Sequence, residues 1–325
     1  MRRDLALTRS KRPAGGETRR RARPVCGCAP IVAAVLILLM PGPEGRALAG
    51  DKLVATVSSR LVLVPVTVTD RNGRPATDLE REHFSITEDS QPREITSLTR
   101  EEAPVGLGLV VDLSGSMNGK LDHAISATRA IADLAGAADE VFLMTFGDRP
   151  EMRVGLTRGA GPIAHGLTGV QAYGDTALID AVYQALHEVR ASSHRRRALA
   201  VISDGGDNAS RYSQAELKRL ALEADVQIYG ISIVEKATDR DQRRGAFLLE
   251  ELAEITGGLH FTIRHRADLA PMADKLARAM KDVYTIAYKP GEGPPGKWRR
   301  IRISVTPPTP ERLKVYARSG YFVPE

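Results

Sequence analysis

Val105-Gly-Leu-Gly-Leu-Val-Val-Asp112-Leu-Ser114-Gly-Ser116-Met117 decides the fold. Seven small or branched apolar residues run without polar alternation into an aspartate, the pattern of a strand buried on both faces. Two serines then follow Asp112 at alternate positions. In an open parallel sheet the loop beyond a strand's carboxyl end is the usual ligand site. This loop offers only oxygen donors, one carboxylate and two hydroxyls. Hard oxygen suits Mg²⁺, Ca²⁺ or Mn²⁺ better than zinc, which prefers His and Cys. The stretch therefore predicts a divalent-metal site at a strand end, with further ligands to come from neighbouring strands.

Downstream, strand runs alternate with helical stripes. Leu121, Ile125, Thr128 and Ala132 share one helical face, and Val141–Phe146 is a second buried strand followed by Gly147-Asp148. Leu178, Val182, Ala185, Leu186 and Val189 line a helix that starts just after Thr176. Ala198–Ile202 is the next strand and runs into Ser203-Asp204-Gly205-Gly206-Asp207-Asn208. Further helices are expected around Leu217–Ala224, Leu248–Ile255 and Leu269–Val283, with strands at Val226–Ile233 and Leu259–Ile263. Gly257-Gly258 ends the second of these helices as a carboxyl-terminal cap. Such alternation specifies an α/β fold: a doubly wound, mostly parallel, Rossmann-like sheet with helices on both faces.

The flanks read as β structure. Leu61–Thr69 alternates through Val62, Val64, Val66 and Val68, and Pro65 inside it points to an edge or a bulge. Asn72-Gly73 is a turn signal. Phe84–Glu88 and Arg93–Leu98 read as a hairpin around Asp89–Pro92. Beyond the α/β region come Tyr284–Tyr288, then Trp298–Val305 and Leu313–Arg318 as a terminal hairpin. A lone hairpin is marginal, so it is expected to pack with the first module. The chain thus divides into a signal peptide (1–49), an N-terminal β module (50–103), the α/β domain (104–283) and a C-terminal β hairpin (284–325).

Charge is confined to one end. The 325 residues carry a net charge of +6, yet residues 1–49 hold ten Lys/Arg against three Asp/Glu. The remainder balances 36 basic against 37 acidic residues, so no nucleic-acid footprint is expected there. A basic segment, the apolar run Ala29–Met40 and the small-residue pattern Ala47-Leu48-Ala49 form an export signal cleaved after Ala49. Its apolar core of about a dozen residues is shorter than the ~20 that a spanning helix needs, so no stable membrane anchor is expected after cleavage. The product would be periplasmic or extracellular. Both cysteines, Cys26 and Cys28, precede the apolar run; the exported chain would carry neither disulfide nor thiol chemistry.

The missing ligands should carry oxygen and stand at the carboxyl ends of adjacent strands. Asp204 follows its strand as Asp112 follows Val105–Val111, and Thr176 stands where a helix begins. The ordered set is Asp112, Ser114, Ser116, Thr176 and Asp204, with Gly115 and Gly205 giving the backbone room to turn. Asp175, Asp207 and Asn208 are near enough to orient those ligands, with solvated loop residues as the alternative reading. Two carboxylates and three hydroxyls leave an ion partly neutralised, with a coordination position open to water or to an acidic group of a partner.

This ordered set, Asp-x-Ser-x-Ser, then Thr, then Asp, resembles the metal-ion-dependent adhesion site (MIDAS) of the von Willebrand factor type A domain family. Leu61–Asp70 with Asn72-Gly73, the Phe84–Asp89 segment, Ser203–Asn208 and Ala317-Arg-Ser-Gly-Tyr321 look like the secreted VWFA-related proteins of acidobacteria. The resemblance covers about 180 residues. It implies direct binding of Mg²⁺ (or Mn²⁺) by Ser114, Ser116 and Thr176, and direct or water-mediated binding by Asp112 and Asp204. It also implies a protein ligand presenting an acidic side chain, and adhesion rather than turnover.

Two alternatives stand beside that reading: a metal-stabilised scaffold of an envelope complex, and a metal-dependent hydrolase. A hydrolase needs a base or nucleophile beside the ion. The histidines His83, His123, His165, His187, His194, His260 and His265 show no metal-ligand spacing, and none adjoins the motif loops. An enzyme is therefore not expected. His194-Arg-Arg-Arg197 reads as a solvated turn.

Overall fold

The computed structural model of the chain describes residues 61–100, 103–234, 240–307 and 312–324. The leader with its cleavage point, and residues 50–60 of the first module, lie outside the described residues. Among the described residues no helix is long and apolar enough to cross a membrane.

Strands β1 (Val62–Thr69), β2 (Phe84–Glu88), β3 (Gln91–Arg93) and β4 (Ile95–Thr99) come first. The apolar stretch is β5 (Val105–Asp112), and all eight of its residues are buried. The chain continues through α1 (Leu121–Ala132), β6 (Glu140–Phe146), β7 (Pro150–Arg158), α2 (Gly161–Gly166) and α3 (Leu178–Val189). Then follow β8 (Arg196–Ser203), α4 (Gln214–Ala224), β9 (Gln227–Ile233), α5 (Arg240–Thr256), β10 (His260–Ile263) and α6 (Leu269–Lys281). The last strands are β11 (Tyr284–Tyr288), β12 (Trp298–Val305), β13 (Lys314–Ala317) and β14 (Gly320–Phe322).

The α/β sheet has the order β10-β9-β8-β5-β6-β7. Five strands are parallel and β7 closes one edge antiparallel. Because successive side chains of a strand face opposite ways, β5 feeds two cores. Leu107, Leu109 and Val111 pack with Ala124, Ala127 and Ile131 of α1 and with Met272 and Leu276 of α6. Val110 faces the other way, among Leu178, Val182 and Leu186 of α3, Leu217 of α4 and Leu252 of α5. On that second face a Cβ at Gly108 would overlap the Phe142 and Leu199 side chains, so glycine lets the neighbouring strands fill the layer. The chain leaves β5 towards β6 on one side and later builds β8, β9 and β10 on the other. The crevice between the ends of β5 and β8 is therefore a topological switch point, where open α/β sheets bind ligands.

The flanks form two four-stranded antiparallel sheets, β13-β1-β11-β4 and β14-β12-β2-β3. Strands from both ends of the chain interleave in each: β1 pairs with β11 and β13, and β2 pairs with β12. Val64, Val66, Ile86, Tyr284, Ile286, Tyr288 and Ile301 share one core between them. β13 ends opposite Val66, so Pro65 has a strand partner, Thr285, on one side only; its missing N–H breaks no second ladder.

Two hairpin expectations are corrected. β2 turns into the short β3 through Asp89 and Ser90, whose φ values of 50° and 67° suit a two-residue mirror-image turn; β4 then crosses to the other sheet. At the tail, β12 pairs with β14 and β2, while β13 pairs with β1 in the opposite sheet. The tail is thus divided between two sheets. Alternation of period two fixes which face a strand buries but not which strand lies beside it.

Candidate functional site

Asp112 ends β5 with no exposed surface. Its Oδ1 accepts the Ser114 backbone N–H at 2.8 Å, and its Oδ2 accepts the Ser203 hydroxyl, from the end of β8, at 2.5 Å. Burial pushes this carboxyl up to about 6, against the hydrogen bonds of Ser114 and Ser203 that favour its charge, with the nearby negative Asp204 raising it further. Asp204 is also buried.

The two carboxylates are linked through the serines. The Ser114 and Ser116 hydroxyls lie 3.0 Å apart, and Ser116 Oγ donates to Asp204 Oδ1 at 2.7 Å. Ser114 is buried and Ser116 is exposed, so the chain of oxygens runs from the sheet interior to the surface. Neither serine is spent as a helix cap. The Ser114 side chain makes no capping bond to the short 3-10 turn at Gly115–Met117, and α1 starts beyond it with Lys120 at the cap position.

The third loop is held beside the first by its backbone. Gly115 N–H donates to the Gly174 carbonyl at 2.9 Å, and Tyr173 N–H to the Leu113 carbonyl at 2.8 Å. Thr176, 7% exposed, has its N–H bonded to Asn208 Oδ1 at 2.7 Å, and its carbonyl accepts the N–H groups of Asn208 and Ala209. Among the described residues its hydroxyl makes no hydrogen bond to the other four members of the set. The structure thus joins Asp112, Ser114, Ser116 and Asp204 directly, and brings the Thr176 loop alongside through main-chain bonds.

Asp207, Asn208 and Asp175 serve that loop. Asp207 Oδ1 accepts the Ile179 N–H at 3.0 Å and so caps the start of α3. Asn208 pins Thr176 and also donates to Asp175 Oδ1 at 3.3 Å. Asp148, beyond β6, is exposed, yet its Oδ1 accepts the Asp175 N–H at 2.5 Å and lies against Gly174, whose φ is +73°. The run His194–Arg197 departs from a solvated turn: His194 bonds the Ala138 carbonyl and Arg196, half-buried, bonds the carbonyls of Ala103 and Met280.

Lys120 was not singled out by the sequence. It is 4% exposed, and its ammonium donates to Asp204 Oδ2 and, at 3.0 Å, to the Ser116 carbonyl. A signal was present: a lysine before the first turn of a helix faces the positive end of the helix dipole, where cations are disfavoured. Ser203 carries no signal of its own in the sequence, because a serine at a strand end has no distinguishing pattern. Among the described residues no group of three or more His, Cys, Asp or Glu side chains is placed to hold a metal ion. Any ion here would depend on two carboxylates supplemented by hydroxyls.

Residues 107–206 match the family model of the von Willebrand factor type A domain. No curated protein sequence matches the chain. Among solved structures it is similar to BatB, a conserved hypothetical protein from Bacteroides thetaiotaomicron, at 16% identity over 55% of this chain and 99% of that one (TM-score 0.45). A von Willebrand factor type A protein from Catenulispora acidiphila is similar at 13% identity over 79% and 73% of the two chains (TM-score 0.48). The vWF domain of the type V pili tip protein Mfa5 from Porphyromonas gingivalis is similar at 12% identity over 55% and 96% (TM-score 0.45).

Proposed function

We propose that this chain, whose residues 107–206 match the von Willebrand factor type A domain model, is an exported, divalent-metal-dependent protein-binding module. In this reading Asp112, Ser114, Ser116, Thr176 and Asp204 hold one Mg²⁺ or Mn²⁺. One coordination position is kept for an acidic side chain of a partner protein, and the site binds its ligand without turning it over. The observation that carries the reading is the hydrogen-bonded gathering of Asp112, Ser114, Ser116 and Asp204, joined through the Ser114 N–H and the two serine hydroxyls, at the switch point of the sheet.

The residues fit such an ion by donor chemistry. They are hard oxygen donors with two negative charges, which suits Mg²⁺ or Mn²⁺ and leaves a coordination position that a carboxylate can take. A bound divalent cation would supply a Lewis-acidic anchor for that carboxylate. The chain does the rest. Ser203 and the Ser114 N–H fix the Asp112 carboxylate, Asn208 pins Thr176, and Ser116 stands at the open mouth. Export is supported by the order of basic, apolar and small-residue segments in residues 1–49.

A scaffold reading draws on one observation of its own: Lys120 already neutralises Asp204. Capture from secreted and envelope fractions separates the readings. Immobilised protein should retain a partner in Mg²⁺ and lose it in EDTA and in Ser114→Ala/Ser116→Ala. Retention unchanged in EDTA would favour the scaffold, and metal-dependent turnover of a phosphate or ester substrate would favour a hydrolase.

A further inference from the structure

The site contains a cation of its own. Lys120 follows Met117-Asn118-Gly119, and Gly119 adopts φ +85°, turning the chain so that the lysine folds back over the loop it has just left. Its ammonium reaches Asp204 Oδ2 and the Ser116 carbonyl, while Asp204 Oδ1 takes the Ser116 hydroxyl. The Lys120 side chain is 5% exposed and that of Asp204 0%. Both charges have therefore left water, and each depends on the other for compensation. The neighbours of Lys120 on the mouth side, Asn118 and Gly119, are exposed. A four-carbon stem with rotatable donors can swing from the carboxylate to that rim.

We propose that Lys120 is a tethered cation that occupies the Asp204 end of the site, and that a divalent ion must displace its ammonium from the Asp204 carboxylate in order to bind. Metal loading is then an exchange of cations at Asp204, whose carboxylate is paired with or without the ion. The exchange rests on the metal-site reading above and adds its regulation. Loading requires enough free Mg²⁺ or Mn²⁺ to outcompete an intramolecular amine. The displaced amine comes to the rim, where an acidic partner would arrive.

Calorimetric titration of Mn²⁺ into EDTA-stripped wild-type protein, Lys120→Met and Lys120→Arg tests the exchange. Without the competing ammonium, Lys120→Met should bind Mn²⁺ about tenfold more tightly than wild type, whereas Lys120→Arg, which keeps the charge, should stay close to wild type. In EDTA, Lys120→Met should melt below wild type and regain the difference on adding Mn²⁺. Equal affinity of Lys120→Met and wild type would overturn the exchange and leave the metal site standing. No binding by either protein would overturn the metal site and the exchange with it. Wild-type protein supplies a second measurement that survives poor folding of the variants. Amine acylation followed by mass spectrometry should find Lys120 protected in EDTA and modified in saturating Mn²⁺; protection unchanged by bound Mn²⁺ would overturn the proposal.

Discussion

A Cβ on Gly245 would overlap the Gly205 carbonyl oxygen, so the early part of α5 rests directly on the backbone of the loop that carries Asp204. The obstacle is main chain, and no side-chain rotation relieves it. Gly245→Ala should therefore cost about 1–3 kcal/mol, the range for overpacking a close-packed site. Urea denaturation checks this, and a shift of the Asp204 loop should weaken any metal binding in the same variant. Gly205→Ala is the control, since a Cβ there meets nothing within 4 Å and should be nearly neutral. The sequence pointed to Gly205, because it sits inside the motif, and not to Gly245, whose importance lies in a contact forty residues away. The same limit hid Lys120. Asp112, Ser114, Ser116 and Asp204 were legible because each follows a strong apolar run; the lysine that pairs with Asp204 belongs to no run at all.

Between elements, Glu140 at the start of β6 holds the turn that follows α3. Its carboxylate accepts the Ser192 hydroxyl at 2.7 Å and the Ser193 hydroxyl and N–H at 2.8 and 2.9 Å. Those bonds, that of Ser192 foremost, lower its pKa from an ordinary 4.5 to about 2. The native state thus holds the proton less tightly than the unfolded chain. The stabilisation is present in full above the unfolded value and is lost as pH falls from about 4.5 towards about 2. Denaturation midpoints taken from pH 6 down to pH 2 should show Glu140→Gln less stable than wild type at the top of that window and converging with it at the bottom. A constant gap would show that the carboxylate's charge plays no part. At this scale the buried parallel strands were plain in the sequence, because continuous Val, Ile and Leu runs bounded by turns admit few other readings. β7 was missed although Met152, Val154 and Leu156 alternate within it. An edge strand with half-exposed residues carries a weak apolar signal.

Across the whole molecule, the two ends of the chain are joined at Glu88. Its carboxylate is fully buried and accepts the Tyr288 hydroxyl at 2.9 Å, the Gly291 N–H at 3.0 Å and the Tyr321 hydroxyl at 3.1 Å. Arg93 and Arg299 stand 3.4 and 3.7 Å away. Removing it strands the buried Tyr288 and Tyr321 hydroxyls and the Arg299 guanidinium of the C-terminal flank, so Glu88→Ala should lose about 3–5 kcal/mol of stability in denaturant unfolding; a loss below about 1 kcal/mol would show that water replaces the carboxylate. Nothing in Phe84–Glu88 announces this junction, since long-range pairing is invisible to local periodicity. The doubly wound sheet was readable, and so was the joining of the two β flanks, whereas the strand order that makes the switch point and the strand-by-strand interleaving of β1, β2, β11, β12, β13 and β14 were not. The function proposed for the molecule depends on whether the switch point takes up an ion. Calorimetric titration of Mg²⁺ and Mn²⁺ into EDTA-stripped protein measures that directly, with Ser114→Ala/Ser116→Ala as the comparison. One ion should bind per wild-type chain, with no measurable uptake by the double variant; equal uptake by both, or none by the wild type, would rule out the metal site.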